Sequence, residues 1–366
     1  MNEASGINLE LQKLEKSAIL LGRRSMPLQL VLFVTSRCNM RCDHCFYLDE
    51  INDSSRTELS LEQIETLAKE LGGLHWIALS GGEPYLRKDL VEITQAFYKH
   101  CRPNIMSHVT NGYYPERISV MTKKMADSCP KSKNLVIFSL DGLEETHEQI
   151  RHSPGSFGKV KESIQATQKH QSEYSNLETG IVITAQENNR EELIPLIEYI
   201  ENKLMPDGIY INLQRDHNQP SNVLVDPLTL KYYQEAVVFY ENLRAKKHLK
   251  KSSLLDRLLD GKNKLQKKTI AKIAKENAYQ FPCLAGKVSV VVDELGNVYA
   301  CELLKDPIGN LTSQSFKEIW FSDEGIKLSN SITESKCYCT HECAMSSSIL
   351  FNPPKLVQSM ISGMLG

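Results

Sequence analysis

Residues 38 to 45 read Cys38-Asn39-Met40-Arg41-Cys42-Asp43-His44-Cys45 and follow directly on the apolar stretch Leu28 to Val34. Three thiols in a C-x3-C-x2-C spacing are close enough to hold an iron–sulfur cluster. A cubane cluster has four irons, so three cysteines leave one iron without a protein ligand. A purely structural cluster has no use for that open corner. A cluster that must bind a substrate or cofactor does, for the same reason that a catalytic zinc site keeps a free position. Zinc is the plain alternative, with His44 or His100 offered as a fourth ligand, although zinc sites usually draw on paired two-cysteine knuckles. The ferredoxin type of run differs, because it keeps a fourth cysteine nearby.

Outward from this stretch a βα rhythm repeats between residues 28 and 215. Leu28–Thr35, Trp76–Ser80, Ile105–Thr110, Leu135–Leu140, Thr179–Thr184 and Gly208–Leu213 read as six strands. Helix-patterned segments such as Ser60–Leu71 and Arg190–Asn202 lie between them, and Ser60 with Gln63 makes a capping box. Strands alternating with helices predict a parallel sheet, and unbroken apolar strands fit burial on both faces. Six units fall short of the eight that close a barrel. The expected fold class is therefore α/β, a partial (β/α)6 TIM-like barrel, followed by a small α+β domain at the C-terminus.

The rest of the chain differs in texture. Residues 227–280 read as helical, with Tyr232, Tyr233, Ala236, Val237 and Tyr240 on one stripe. From Arg244 to Lys275 the only acids are Asp256 and Asp260. Such a run reads first as a solvated helix face, and second as an attractor for an anionic substrate. Val288–Val292 and Val298–Ala300 read as short strands joined by a turn at Asp293–Gly296. After Pro353-Pro354, the residues Leu356, Val357, Met360, Ile361, Met364 and Leu365 share a helical stripe. Packing against the C-terminal domain is its expected use, and docking on a membrane surface is the alternative. The boundaries that result are an N-terminal helical segment (1–27), the barrel (28–226), a basic helical linker (227–282), the cysteine-bearing domain (283–350) and an amphipathic tail (351–366).

The 366 residues carry a formal net charge of −2, which gives no call for nucleic acid. No apolar run approaches a membrane span. Ala18–Gly22 is too short for a signal-peptide core and lies within a charged stretch. The ten cysteines are unevenly spread. Three sit in the triplet, five at Cys283, Cys301, Cys337, Cys339 and Cys343, and Cys101 and Cys129 stand alone. Clustering of this kind favours thiolate ligands in a reducing cytoplasm over a disulfide framework.

At this point the chain resembles the radical S-adenosylmethionine (radical SAM) enzyme family. The family signature is this triplet after the first strand, usually with an aromatic residue before the third cysteine, where this chain has His44. The resemblance continues at Gly81-Gly82-Glu83-Pro84, directly after the second strand, a loop that in the family binds the amino group of SAM. Thr110-Asn111-Gly112 follows strand three, and Ser139-Leu140-Asp141-Gly142 follows strand four, with His147 and Arg151 downstream. The resemblance implies a [4Fe-4S] cluster on Cys38, Cys42 and Cys45. It implies SAM contacts among His44, Phe46, Gly81, Gly82, Glu83, Pro84, Asn111, Ser139, Asp141 and Arg151, with the Arg151 guanidinium suited to the SAM carboxylate. All of these positions fall at strand C-termini, where parallel barrels build active sites. The implied chemistry is reductive cleavage of SAM to a 5′-deoxyadenosyl radical that takes hydrogen from a substrate C–H bond, fed by a flavodoxin- or ferredoxin-type electron donor.

Cys283, Gly296 and Cys301 make a C-x12-G-x4-C pattern that resembles the opening of the SPASM or twitch extension, which holds auxiliary iron–sulfur clusters. Cys337-Tyr-Cys339-Thr-His-Glu-Cys343 departs from the longer SPASM series. Five cysteines suffice for one cluster with a spare, or for two incompletely ligated clusters with His341 or a substrate filling in. One cluster is the simpler count, and a structural zinc site is the alternative. The substrate expectation is a small molecule such as a sugar or alcohol, or a ribosomal peptide. The lack of room for a peptide-recognition domain before residue 28 weighs against the peptide. A non-catalytic iron–sulfur carrier or regulator on the same scaffold is the rival from another class, and the intact Glu83 and Arg151 argue against it.

Overall fold

The computed structural model describes residues 24–53, 55, 57–215, 220–248 and 254–364. Its six barrel strands are β1 Gln29–Phe33, β2 Trp76–Ser80, β3 Ile105–Thr110, β4 Lys133–Ser139, β5 Leu177–Ala185 and β6 Gly208–Leu213. They pair in parallel and in chain order. Parallel neighbours require long crossovers, and helices supply them. These are α1 Leu61–Leu71, α2 Leu90–Cys101, α3 Pro115–Ser128, α4 Glu144–Arg151, α5 Ser156–Gln168 and α6 Leu193–Tyr199.

Side chains alternate along the strands, as the pleat requires. Leu30, Leu32, Ile77, Leu79, Val136 and Phe138 enter the core shared with the helices. Val31, Phe33 and Ala78 point to the opposite, concave face, where Tyr47 and Ile51 pack on them. The capping box at α1 is present, with Ser60 Oγ accepting from Gln63 N at 3.2 Å and Gln63 Oε1 accepting from Ser60 N at 2.9 Å. The helix expected over Arg190–Asn202 is broken into a 3-10 turn (Arg190–Glu192), α6 and a π-helical turn (Ile200–Leu204). Pro195 falls inside the first turn of α6, where a missing N–H is tolerated.

The sheet does not close, and its β1 edge is extended. Strand β7 (Ser289–Val292) lies parallel to β1, with Gln29 opposite Ser289 and Leu32 opposite Val292. Strands β8 (Asn297–Tyr299) and β9 (Gly309–Asn310) continue antiparallel, giving nine strands in one sheet. Covering the β1 edge satisfies backbone groups that an open barrel would leave unpaired. The cysteine-bearing region is thereby tied to the barrel through the strand that precedes the first cysteine triplet.

The linker forms α7 Pro227–His248 and α8 Leu254–Glu276, and the remaining helices are α9 Phe316–Trp320, α10 Asp323–Glu334, α11 Glu342–Leu350 and α12 Pro353–Met364. The basic stretch is not wholly a solvated face. Lys262 on α8 is turned inward, where its Nζ donates to Ser346 Oγ of α11 at 3.1 Å. The tail also differs from its expectation. Val357, Met360 and Ile361 of the apolar stripe are exposed, and α12 docks through its small-residue face instead. A Cβ on Gly261 of α8 would lie 2.0 Å from Ser359 O, so the two helix backbones meet closely only because that position is glycine. Leu365 of the stripe and most of the expected N-terminal helix, residues 1–23, lie outside the described residues. The chain is described from Arg24, whose guanidinium stacks on Trp320 at 4.4 Å and whose Nη2 donates to Trp320 O at 2.6 Å. Among the described residues no helix is long and apolar enough to cross a membrane.

Candidate active site

The loop leaving β1 carries Cys38, Cys42 and Cys45, of which Cys42 is buried and the others half-buried. Residues far along the chain hold this loop in shape. The Cys38 peptide is bracketed by one side chain, Asn52: Cys38 N donates to Oδ1 at 3.0 Å and Nδ2 donates to Cys38 O at 2.8 Å. Asn52 itself sits at φ 60°, a left-handed conformation that asparagine tolerates better than most residues. Arg87 donates from Nη1 to Val34 O at 2.6 Å and from Nη2 to Leu59 O at 2.7 Å, fixing the end of β1 from beneath. Neither residue was singled out from the sequence. Their only local signals are an Asn-Asp turn and an arginine three residues after a proline.

Gly81 and Gly82 are required by the cysteine loop itself. A Cβ on Gly81 (φ +131°) would lie 2.3 Å from Thr35 O, and one on Gly82 would lie 2.4 Å from Arg37 O. The two loops are hydrogen-bonded, Gly82 N to Thr35 O and Glu83 N to Arg37 O, each at 2.8 Å. The Gly pair thus presses the β2 loop against the cysteine loop, a reason distinct from the approach to a ligand expected from the sequence.

Glu83 is 1% exposed. Its carboxylate accepts from Asn111 N at 2.7 Å, Thr110 Oγ1 at 2.9 Å and Tyr85 N at 3.1 Å. Burial pushes its pKa up to about 7 in spite of these donors. The Asn111 side chain is also engaged, donating to Asn39 Oδ1 at 2.9 Å and accepting from Tyr113 N at 3.0 Å. Glu83 and Asn111 therefore link the ends of β2 and β3 to the cysteine loop. Pro84 is buried at the start of a single 3-10 turn, and Phe46 packs on Phe33 and Tyr47 beside Cys45.

At β4 the structure places Asp141, Arg151, His44 and Cys42 together. Asp141 is fully buried; burial would raise it, but the charge of Arg151, with His44 and His147, holds its carboxyl below the usual range. Arg151 donates to Asp141 Oδ2 from Nε at 2.8 Å and from Nη2 at 2.5 Å, and its charge offsets part of the rise that burial imposes on the Cys42 thiol. Asp141 Oδ1 accepts from Thr184 N at 2.8 Å, and His44 Nε2 lies 3.7 Å from Oδ2. The fork of Arg151 is thus committed first to Asp141. Ser139, at the end of β4, is nearly buried on the same rim.

The thiols fit a cluster. Burial pushes Cys38 up to about 12, with Glu83, Cys42 and Cys45 adding to the rise, and burial raises Cys42 and Cys45 as well. Three neighbouring thiols that resist ionisation call for positive charge to deprotonate them, which irons supply. Among the described residues no three His, Cys, Asp or Glu side chains converge closely enough to ligate one ion between them.

The second group of cysteines is built from three elements. Cys283 precedes β7, Cys301 follows β8, and Cys337, Cys339 and Cys343 run into α11. Cys283, Cys337 and Cys339 line one small apolar cavity with Phe281, Tyr338 and Met345. Burial raises all five, and the mutual repulsion of Cys283 with Cys337, and of Cys301 and Cys339 with Cys283, adds to it. Cys343 is pushed up to about 12 by burial beside Glu302 and Glu342. His341 has both ring nitrogens engaged, Nε2 with Glu302 and Nδ1 accepting from Ala344 N at 3.3 Å, as the N-cap of α11.

Two family models match this chain: the radical SAM superfamily over residues 32–200 and SPASM, an iron–sulfur cluster-binding domain, over residues 283–344. Residues 32–200 thus carry a radical SAM domain, of a superfamily whose members are enzymes, and residues 283–344 a SPASM domain. The first domain implies a [4Fe-4S] cluster with SAM, and the second implies auxiliary iron–sulfur. Fe-coproporphyrin III synthase of Methanosarcina barkeri (strain Fusaro / DSM 804) is 27% identical over 206 residues, 56% of this chain and 48% of that protein. GTP 3',8-cyclase of Nautilia profundicola is 28% identical over 216 residues, 54% of this chain and 62% of that protein. The chain spans about half the length of the curated relatives it matches. Among solved structures, anSMEcpe with bound AdoMet shares the fold at a TM-score of 0.61 and 19% identity, covering 92% of this chain and 95% of that one. Streptococcus suis SuiB bound to precursor peptide SuiA shares it at 0.56 and 17% identity, covering 82% and 65%.

Proposed function

We propose that this chain is a radical SAM enzyme that abstracts hydrogen from a C–H bond of a peptide or small-molecule substrate held between the strand ends and the SPASM region. The observation that carries the reading is the convergence, at one end of the sheet, of the cysteine loop, the Gly81–Gly82–Glu83 loop and the Asp141–Arg151 pair. When bound, the cluster and SAM together supply a one-electron reductive cleavage that yields a carbon radical able to attack an unactivated C–H bond.

The chain's own residues have separable tasks in this reading. Cys38, Cys42 and Cys45 hold the cluster. Gly82 and its neighbours present backbone carbonyls to the SAM amino group, while Glu83 braces that loop against β3. Arg151, oriented by Asp141, faces the cluster side of the pocket, where its remaining N–H groups serve the SAM carboxylate. His44, Phe46, Ser139 and Asn111 line the rim. The apolar packing of Phe33, Phe46 and Tyr47 behind Cys45 keeps water from the cluster edge. Cys283, Cys301, Cys337, Cys339 and Cys343 hold one auxiliary cluster with a spare thiol, and a flavodoxin- or ferredoxin-type protein delivers the electron. The peptide option draws its support from fold relatives whose structures hold a peptide, Cp18Cys in anSMEcpe and SuiA in SuiB.

Electron paramagnetic resonance of the reduced, iron-loaded chain tests the assignment of the two cysteine groups. Adding SAM should change the signal of the Cys38–Cys45 cluster and leave the auxiliary signal in place. A Cys38→Ala/Cys42→Ala/Cys45→Ala variant should keep only the SAM-insensitive signal. A signal in that variant that still responds to SAM would contradict the assignment.

A further inference from the structure

Arg215 is a half-buried charged residue that the proposed reaction does not use. It follows β6 by two positions, between the barrel end and the SPASM cysteines. Its Nη1 lies 3.9 Å from Glu302 Oε2, beyond hydrogen-bond reach, and that nitrogen is buried without a hydrogen-bond partner among the described residues. Glu302 is adjacent to Cys301 and is itself paired with His341, which stands two residues after Cys339. From the other side, Leu213 N donates to Glu342 Oε1 at 3.4 Å, bringing the end of β6 against the residue before Cys343. The acidic groups that act on the Arg215 charge are Glu302 first and Glu342 next, followed by the ionisable thiols of Cys343 and Cys339. Lys262 of α8 approaches Cys343 as a second cation, but its Nζ is already engaged with Gln266 and Ser346.

A buried guanidinium N–H left without an acceptor costs on the order of 1–3 kcal/mol. Glu302 faces it at too great a distance to satisfy it. The acceptors that would satisfy it are the sulfurs of a loaded cluster on Cys339 and Cys343. Hydrogen bonds to sulfur and nearby net charge are the terms through which a protein sets the reduction potential of such a cluster. We infer that Arg215 is a positioning residue for the auxiliary cluster: its N–H and its charge stabilise the reduced state and raise the reduction potential, making the cluster a better acceptor for the electron left on the substrate. This rests on the reading that the C-terminal cysteines hold iron–sulfur.

The test uses the full chain with Cys38, Cys42 and Cys45 changed to alanine, so that only the auxiliary cluster can load. Iron content and a redox titration followed by electron paramagnetic resonance are compared between this background and Arg215→Met, Arg215→Gln and Arg215→Lys within it. The expected result is unchanged iron with a reduced-to-oxidised ratio at fixed potential lowered about tenfold in Arg215→Met, which is about 59 mV for a one-electron couple. Arg215→Gln should also fall, and Arg215→Lys should lie between. Equal potentials in all four proteins would overturn the proposal. Loss of iron from every Arg215 variant would also overturn it, because the residue would then build the site rather than tune it. A background chain that takes up no iron overturns the cluster reading, and the proposal with it.

Discussion

Glu83 shows how a residue legible as functional can have a physical role that the sequence does not reveal. Its place after two glycines at a strand end marks the site, yet its oxygens are spent on Asn111 N, Thr110 Oγ1 and Tyr85 N. Its pKa is raised by burial from the ordinary 4.5 to about 7. The folded state therefore keeps the proton longer than the unfolded state. Stability from this group is complete below pH 4.5 and declines as pH rises through about 7, by about 3 kcal/mol in all. Glu83→Gln in the iron-free chain should remove this slope, and urea denaturation of both proteins at pH 5 and pH 8 measures it. Identical pH dependence in the two would contradict the burial argument. The triplet could be read from its spacing, and Glu83 and Arg151 from the resemblance to radical SAM enzymes at the strand ends. Asn52, Arg87 and Arg215 could not, since what defines each is a partner far along the chain: Cys38 for Asn52, Val34 and Leu59 for Arg87, Glu302 for Arg215.

The barrel strands were legible as elements because buried parallel strands are continuous apolar runs, and β2, β3 and β6 have the bounds that their patterns suggest. The pairing of β7 with β1 was not, because Val288–Val292 reads as a short strand whatever its partner is. The C-terminal helix gives the opposite lesson. Its apolar stripe pointed to the wrong face, since the close approach of α12 to α8 depends on Gly261 meeting Ser359 and Gly363 rather than on bulk. Gly261→Ala should force the helices apart at Ser359, costing about 1–3 kcal/mol. Hydrogen exchange over residues 353–364 should speed up while the barrel strands stay protected. Gly158→Ala in α5 is the control: nothing lies within 4 Å of its Cβ, so it should be neutral or stabilising by up to about 1 kcal/mol. Equal exchange in the two variants would contradict the account of the α8–α12 contact.

At the scale of the whole molecule, one sheet connects two groups of cysteines. Strand β1 delivers the first triplet at its C-terminal end, and its neighbour β7 separates Cys283 from Cys301. Tyr47 donates to Glu294 in the turn after β7, and Leu59 N donates to Glu294 O at 2.7 Å, so the first cysteine loop and the SPASM hairpin are braced against each other. This arrangement suits a substrate held between a radical source and an electron acceptor. Reductive cleavage of SAM at the Cys38–Cys42–Cys45 loop is tested by anaerobic reconstitution with iron and sulfide, reduction, and quantification of 5′-deoxyadenosine with cell extract supplied as substrate. The wild-type chain is expected to form 5′-deoxyadenosine and Cys42→Ala to form none; no product from the wild type, or equal product from the variant, would rule out SAM cleavage at this loop.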